Sequence, residues 1–134
     1  MSKSNSAELK IAAIQMVSSA SLKENLETAG RLIKAAAQDG AQLVALPEYF
    51  CIMGLKDTDK VRIREAFGSG PIQAELADLA KANGIYLIAG TIPLEAKDPN
   101  KVLNTTLVFG PDGQRVARYD KIHLFGFQTN TERY

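Results

Sequence analysis

The sequence predicts an α/β fold on a partly parallel sheet, and three observations carry that expectation. Apolar runs and amphipathic stretches alternate in the order β-α-β-α-β. The runs IAAIQM, LVAL and IYLIAG are apolar at nearly every position, as strands buried on both faces are. Near the carboxyl end, Pro111-Asp112-Gly113 joins two further strand-like runs, and this hairpin adds an antiparallel extension.

The first strand is read in residues 9–16, LKIAAIQM. Ser21 then opens a helix, with Glu24 at the spacing of a capping box. Leu22, Leu26, Ala29, Ile33 and Ala36 recur at helical spacing until Asp39-Gly40, a helix of about five turns. Residues 42–46 form the second strand, stopped by Pro47, which lacks an N–H for a ladder. The charged run 56–64 mixes signs and reads as a solvated face. Ser69-Gly70-Pro71 starts a second helix with a stripe of Ile72, Leu76, Leu79 and Ala80, and Asn83-Gly84 stops it. Residues 85–89 make the third strand; residues 102–109 and 114–120 make the hairpin, whose turn uses Pro to fix φ and Gly to accept a positive one. Two helices can cover only one face of such a sheet, so the second face needs another element or a partner.

Composition narrows the class. With 46% hydrophobic residues, 23% charged residues and 5 prolines in 134 residues, the chain fits one soluble globular domain rather than a disordered or repetitive one. Sixteen basic against fifteen acidic residues give a net charge of +1, which predicts no broad footprint for nucleic acid. The first ten residues, MSKSNSAELK, lack the apolar core of a secretory signal. No apolar run approaches the roughly 18 residues of a membrane span. A cytoplasmic protein is expected, and one cysteine makes no internal disulfide.

Four groups could carry chemistry. Glu48 lies just past a strand end, where α/β sheets place ligand sites, although a loop glutamate is by default solvated. Lys121, in RYDKIHLFGF, could sit beside a carboxylate and face a developing oxyanion; it could equally pair with Asp120 or point to water. Cys51 and His123, each the sole residue of its type, could form a thiolate-imidazole couple, but nothing in the spacing requires one. Ser18, Ser19 and Ser21 occupy the loop where a phosphate-binding protein would place its glycines, and that loop has none. No nucleotide cofactor and no metal site are expected.

In order and spacing, IAAIQM, LVALPEYF, IYLIAGTIPLEA, LNTTLVFGPDGQ and RYDKIHLF resemble the first half of the nitrilase superfamily, the carbon-nitrogen hydrolases, over about residues 9–127. The resemblance implies a four-layer α-β-β-α sandwich, of which this chain supplies a mixed sheet with helices on one face. It also implies a Glu-Lys-Cys triad acting on amides or nitriles through a covalent intermediate. On the matching positions, Glu48 of LPEYF is the general base and Lys121 of YDKIHLF stabilises the tetrahedral intermediate. The family's nucleophile belongs to a strand-to-helix elbow several tens of residues after the lysine, so Cys51 does not match it and no nucleophile is expected in this chain. A second glutamate near the family's site would follow the end, and Glu132 falls too early to match it. The expectation is a single partial domain over 1–134, with a flexible amino terminus at 1–8 and truncation at the carboxyl end. Its substrates would be small carboxamides of the ω-amidase or deaminated-glutathione amidase type. The alternative is an inactive fragment that self-associates through its uncovered sheet as a homo-oligomer.

Overall fold

The computed structural model describes residues 8–56 and 58–122. His123, Glu132 and all but the last residue of the amino-terminal segment 1–8 therefore lie outside the described residues. The elements follow in the order β1 (Ile11–Ala13), α1 (Leu22–Gln38), β2 (Leu43–Ala45), α2 (Thr58–Ile63), α3 (Pro71–Asn83), β3 (Tyr86–Ile88), β4 (Ile92–Glu95), β5 (Val102–Phe109) and β6 (Arg115–Asp120).

The strands form one six-stranded mixed sheet. β1, β2 and β3 run parallel, with Ala12, Val44 and Leu87 in register. β5 joins β3 antiparallel and also carries β6. β4 pairs the start of β5, from Val102 to Thr105, while β3 pairs its end at Val108 and Phe109. The run read as one strand over 85–89 is thus followed by a second short strand that the sequence reading did not separate. Gly90, at a φ of 42°, makes the break between them.

Alternation along the strands sorts the two faces. Val44, Leu87, Leu107 and Phe109 point to one side and join Ala29 and Ile33 of α1 with Ile72, Leu76 and Ala80 of α3 in the core. On the other side Ile11 is 64% exposed and Tyr86 47%. The apolar strands are thus covered on one face only, as two helices allow.

The helix ends follow the sequence signals with two changes. Ser21 caps α1 by accepting from the Glu24 backbone N–H at 3.3 Å. Glu24 does not return the bond, however: its carboxyl accepts from the Ser19 hydroxyl, and the Ser19 oxygen takes the Ser21 N–H. Gly70, the residue before Pro71, has no side chain to cap α3. The buried Glu65 does so from outside the helix, accepting from the N–H groups of Ile72 at 2.6 Å and Gln73 at 3.0 Å. The charged run is not wholly a solvated face: it contains α2, whose Lys60 lies 3.9 Å from the centre of the Tyr49 ring.

Candidate active site

The segment after β2 is built to hold Glu48 up from a fixed base. Phe50, Cys51 and Ile52 are buried behind it. The connection between β1 and α1 and the first turn of α1 pin them: the Ser18 hydroxyl donates to the Phe50 carbonyl at 2.6 Å, and the Asn25 amide donates to the Cys51 carbonyl at 2.8 Å. The Met53 N–H donates to the Ser19 carbonyl. Those serines therefore brace a loop rather than cradle a phosphate.

In front, the chain turns sharply. Tyr49 has a φ of 47°, the one non-glycine with positive φ among the described residues, and its N–H donates to the Thr91 hydroxyl at 2.9 Å. Such a backbone costs on the order of 1–3 kcal/mol and persists where its surroundings over-determine it. Gly90 is part of those surroundings. A Cβ there would stand 2.0 Å from the Pro47 carbonyl oxygen, so only glycine lets the two loops touch.

Raised on this turn, Glu48 meets Lys121, the residue just past β6. The Lys121 ammonium donates to Glu48 Oε1 at 3.0 Å. Asn104 of β5 donates its amide to the same oxygen at 2.8 Å. The Lys121 side chain is 34% exposed and that of Glu48 54%, so the pair is open to ligand. Lys121's hydrogen bond, then Asn104's, hold the Glu48 carboxyl below its ordinary range. Asp120 does not take Lys121; it pairs with Arg118 and accepts from Thr105.

Beside the pair runs an open groove of about 470 Å³, lined by Glu48, Tyr49, Ile52, Met53, Lys56 and Lys60 among others. Burial, and then the Glu48 charge, push the Tyr49 phenol up to about 12, so it stays neutral there. Cys51 is fully buried, and burial pushes its thiol up to about 12. It can neither reach the groove nor ionise near neutral pH. His123 falls outside the described residues, so the couple is dismissed on the cysteine's side alone. No group of three or more metal-binding side chains occurs among the described residues, nor does a helix long and apolar enough to cross a membrane.

Sequence reasoning found Glu48 and Lys121, and the structure brings them together. It missed Asn104, whose place beside Thr105 and Thr106 in β5 carries no periodic signal, and Tyr49, whose strain no composition shows. A carboxylate that lines an open groove can take a proton from a nucleophile, and an ammonium held against it can offset the charge that develops on an attacked carbonyl.

Known proteins resemble this chain in sequence and in fold. The family model described as carbon-nitrogen hydrolase matches residues 10–134. Omega-amidase NIT2 of Xenopus tropicalis is 43% identical over 119 residues, which span 89% of this chain and 42% of that protein. A deaminated glutathione amidase of Synechocystis is 38% identical over 115 residues, 85% of this chain and 42% of the relative. The chain thus spans less than half the length of the curated relatives it matches. Among solved structures, the C. elegans NitFhit protein superposes with a TM-score of 0.76 at 29% identity, over 92% of this chain and 30% of that one. Saccharomyces cerevisiae Nit3, a nitrilase superfamily member, gives 0.73 at 29% identity, over 86% and 44%. The mixed sheet with its helices is the fold these structures share.

Proposed function

This chain belongs to the carbon-nitrogen hydrolase family, and on that premise we propose that it supplies the base and the oxyanion-stabilising cation of an enzyme that hydrolyses small carboxamides. The observation that carries the reading is the 3.0 Å contact between Lys121 and Glu48, residues 73 apart in sequence, of which Glu48 lines an open groove. The two relatives above are an omega-amidase and a deaminated glutathione amidase, which favours amides over nitriles as substrates.

In this reading Glu48 takes the proton of a thiol, and the thiolate sulfur attacks the amide carbon. The carbonyl oxygen gains the electron pair and faces the Lys121 ammonium. Collapse of that intermediate breaks the C–N bond; ammonia leaves with the proton that Glu48 held, and a thioester remains. Water, deprotonated by Glu48, then releases the carboxylic acid and restores the thiol. Lys121 matters most at the two moments when the oxygen is negative, so its effect falls on kcat. Cys51 is not that thiol; the nucleophile comes from outside these 134 residues.

The test is a chimera joining this chain to the segment of Xenopus omega-amidase NIT2 that it does not match, assayed for ammonia release from small carboxamides. Turnover is expected, with Glu48→Gln and Lys121→Met each lowering kcat at least about a hundredfold. A folded chimera that keeps its full kcat with Glu48→Gln would sink the proposal. The 134-residue chain alone is expected to show no turnover above background.

A second reading is favoured by the uncovered sheet face with Ile11 and Tyr86: the chain acts only by associating with copies of itself. Sedimentation velocity decides it. Concentration-dependent growth that Ile11→Lys abolishes, together with an inactive chimera, supports this reading; a monomer at all concentrations ends it.

A further inference from the structure

Asn104 is only 5% exposed and sits on β5, a strand paired to three others. Two of its polar groups reach the two members of the pair. The side-chain amide donates to Glu48 Oε1 at 2.8 Å, and its backbone carbonyl accepts the Lys121 N–H at 2.8 Å. Its other side-chain atom, Oδ1, is buried and has no hydrogen-bond partner. A buried amide serving only to hold the sheet together would be expected to use both ends. Here one end is left orphaned while the other meets the carboxylate, and the opposite rotamer would set Oδ1 against the Glu48 oxygen. The head group is therefore oriented by Glu48.

The division of the carboxylate's oxygens gives this contact a chemical meaning. Oε1 accepts from both Asn104 and Lys121, whereas no donor among the described residues reaches Oε2. We propose that Asn104 is the positioning residue of the site: it locks Oε1 and the Lys121 backbone to β5, so that Oε2 is the oxygen presented for proton transfer. The proton-transfer half of this statement rests on the reading of Glu48 as general base; the positional half does not.

The test follows the Asn104 side-chain amide by ¹H–¹⁵N NMR in the full chain, while ¹³C-labelled Glu48 reports its own titration. In the wild type the amide resonances are expected to move with the Glu48 midpoint. Asn104→Leu and the isosteric Asn104→Asp are each expected to raise that midpoint, by about half a pH unit or more. In the chimera, Asn104→Leu should lower kcat about tenfold with little change in KM, and should move the acid limb of kcat to higher pH. An amide indifferent to the Glu48 titration, or a midpoint unchanged in both variants, would overturn the proposal. The wild-type titration decides even if Asn104→Leu fails to fold. A chimera without turnover whose amide still tracks Glu48 would reject the hydrolase and leave the positioning role standing.

Discussion

Glu48 holds its proton less tightly in the fold than in the unfolded chain, because Lys121 and Asn104 both stabilise the charged form. The stability this contributes is fully present above the unfolded glutamate value of about 4.3 and drains away as pH falls through the lowered folded value. Lys121→Met should therefore weaken the fold at pH 7 and flatten its loss of stability below pH about 4. With both side chains partly open to water, the difference should stay under about 1 kcal/mol, and urea unfolding across pH 3–7 measures it. Cys51 makes a second residue-level prediction. Its thiol should ignore a chromogenic disulfide reagent at pH 8 in the native state and react at once in denaturant; rapid labelling of the folded chain would show that its burial is transient. What the sequence disclosed at this scale was the pair of ionisable residues, each lying in a segment of recognisable order and spacing. Asn104 stayed hidden because its importance lies in a strand register that no local pattern encodes. Ser18 was weighed only as part of a phosphate loop and Asn25 carried no signal, since both act through contacts with the distant loop behind Glu48.

The helices and strands show a similar division. Both long helices could be read, start and stop, because caps and breakers are local: Ser21 accepts the Glu24 N–H, and Gly84 takes the left-handed conformation at a φ of 62°. The cap of α3 could not be read, although Ser69-Gly70-Pro71 marks its start, since that cap comes from Glu65, seven residues ahead of Ile72. Glu65→Leu should therefore leave buried donors unmet and cost about 1–3 kcal/mol, visible as a lower thermal midpoint with helix lost first from α3. β4 escaped notice because Pro93 breaks its pattern and because four residues are too few to show a period. α2 was masked by alternating charges that read as surface. The break between β3 and β4 gives a sharper test. Gly90→Ala would force its new methyl against the Pro47 carbonyl oxygen, at a φ of 42° that a side chain resists. A loss of more than about 1 kcal/mol is expected, and the Lys121–Glu48 contact should loosen with it, moving the Glu48 titration upward.

At the scale of the whole molecule, the mixed sheet with helices on one face was legible because strand apolarity and helix number together set how many faces can be covered. The bare face was the consequence, and Ile11 and Tyr86 mark it. The position of the site was less legible, since it depends on how far apart in the chain its members lie. Glu48 and Lys121 stand 73 residues apart, with α2, α3 and four strands between them. A contact that closes so long a loop is entropically the most expensive to make early. It should therefore form after the folding transition state, when β6 has already docked on β5. Lys121→Met is then expected to speed unfolding while leaving the refolding rate nearly unchanged, which stopped-flow kinetics would show. A chain emerging from synthesis would therefore bury the helix and strand residues of its core before Lys121 could meet Glu48, a contact that waits for β6 to dock on β5.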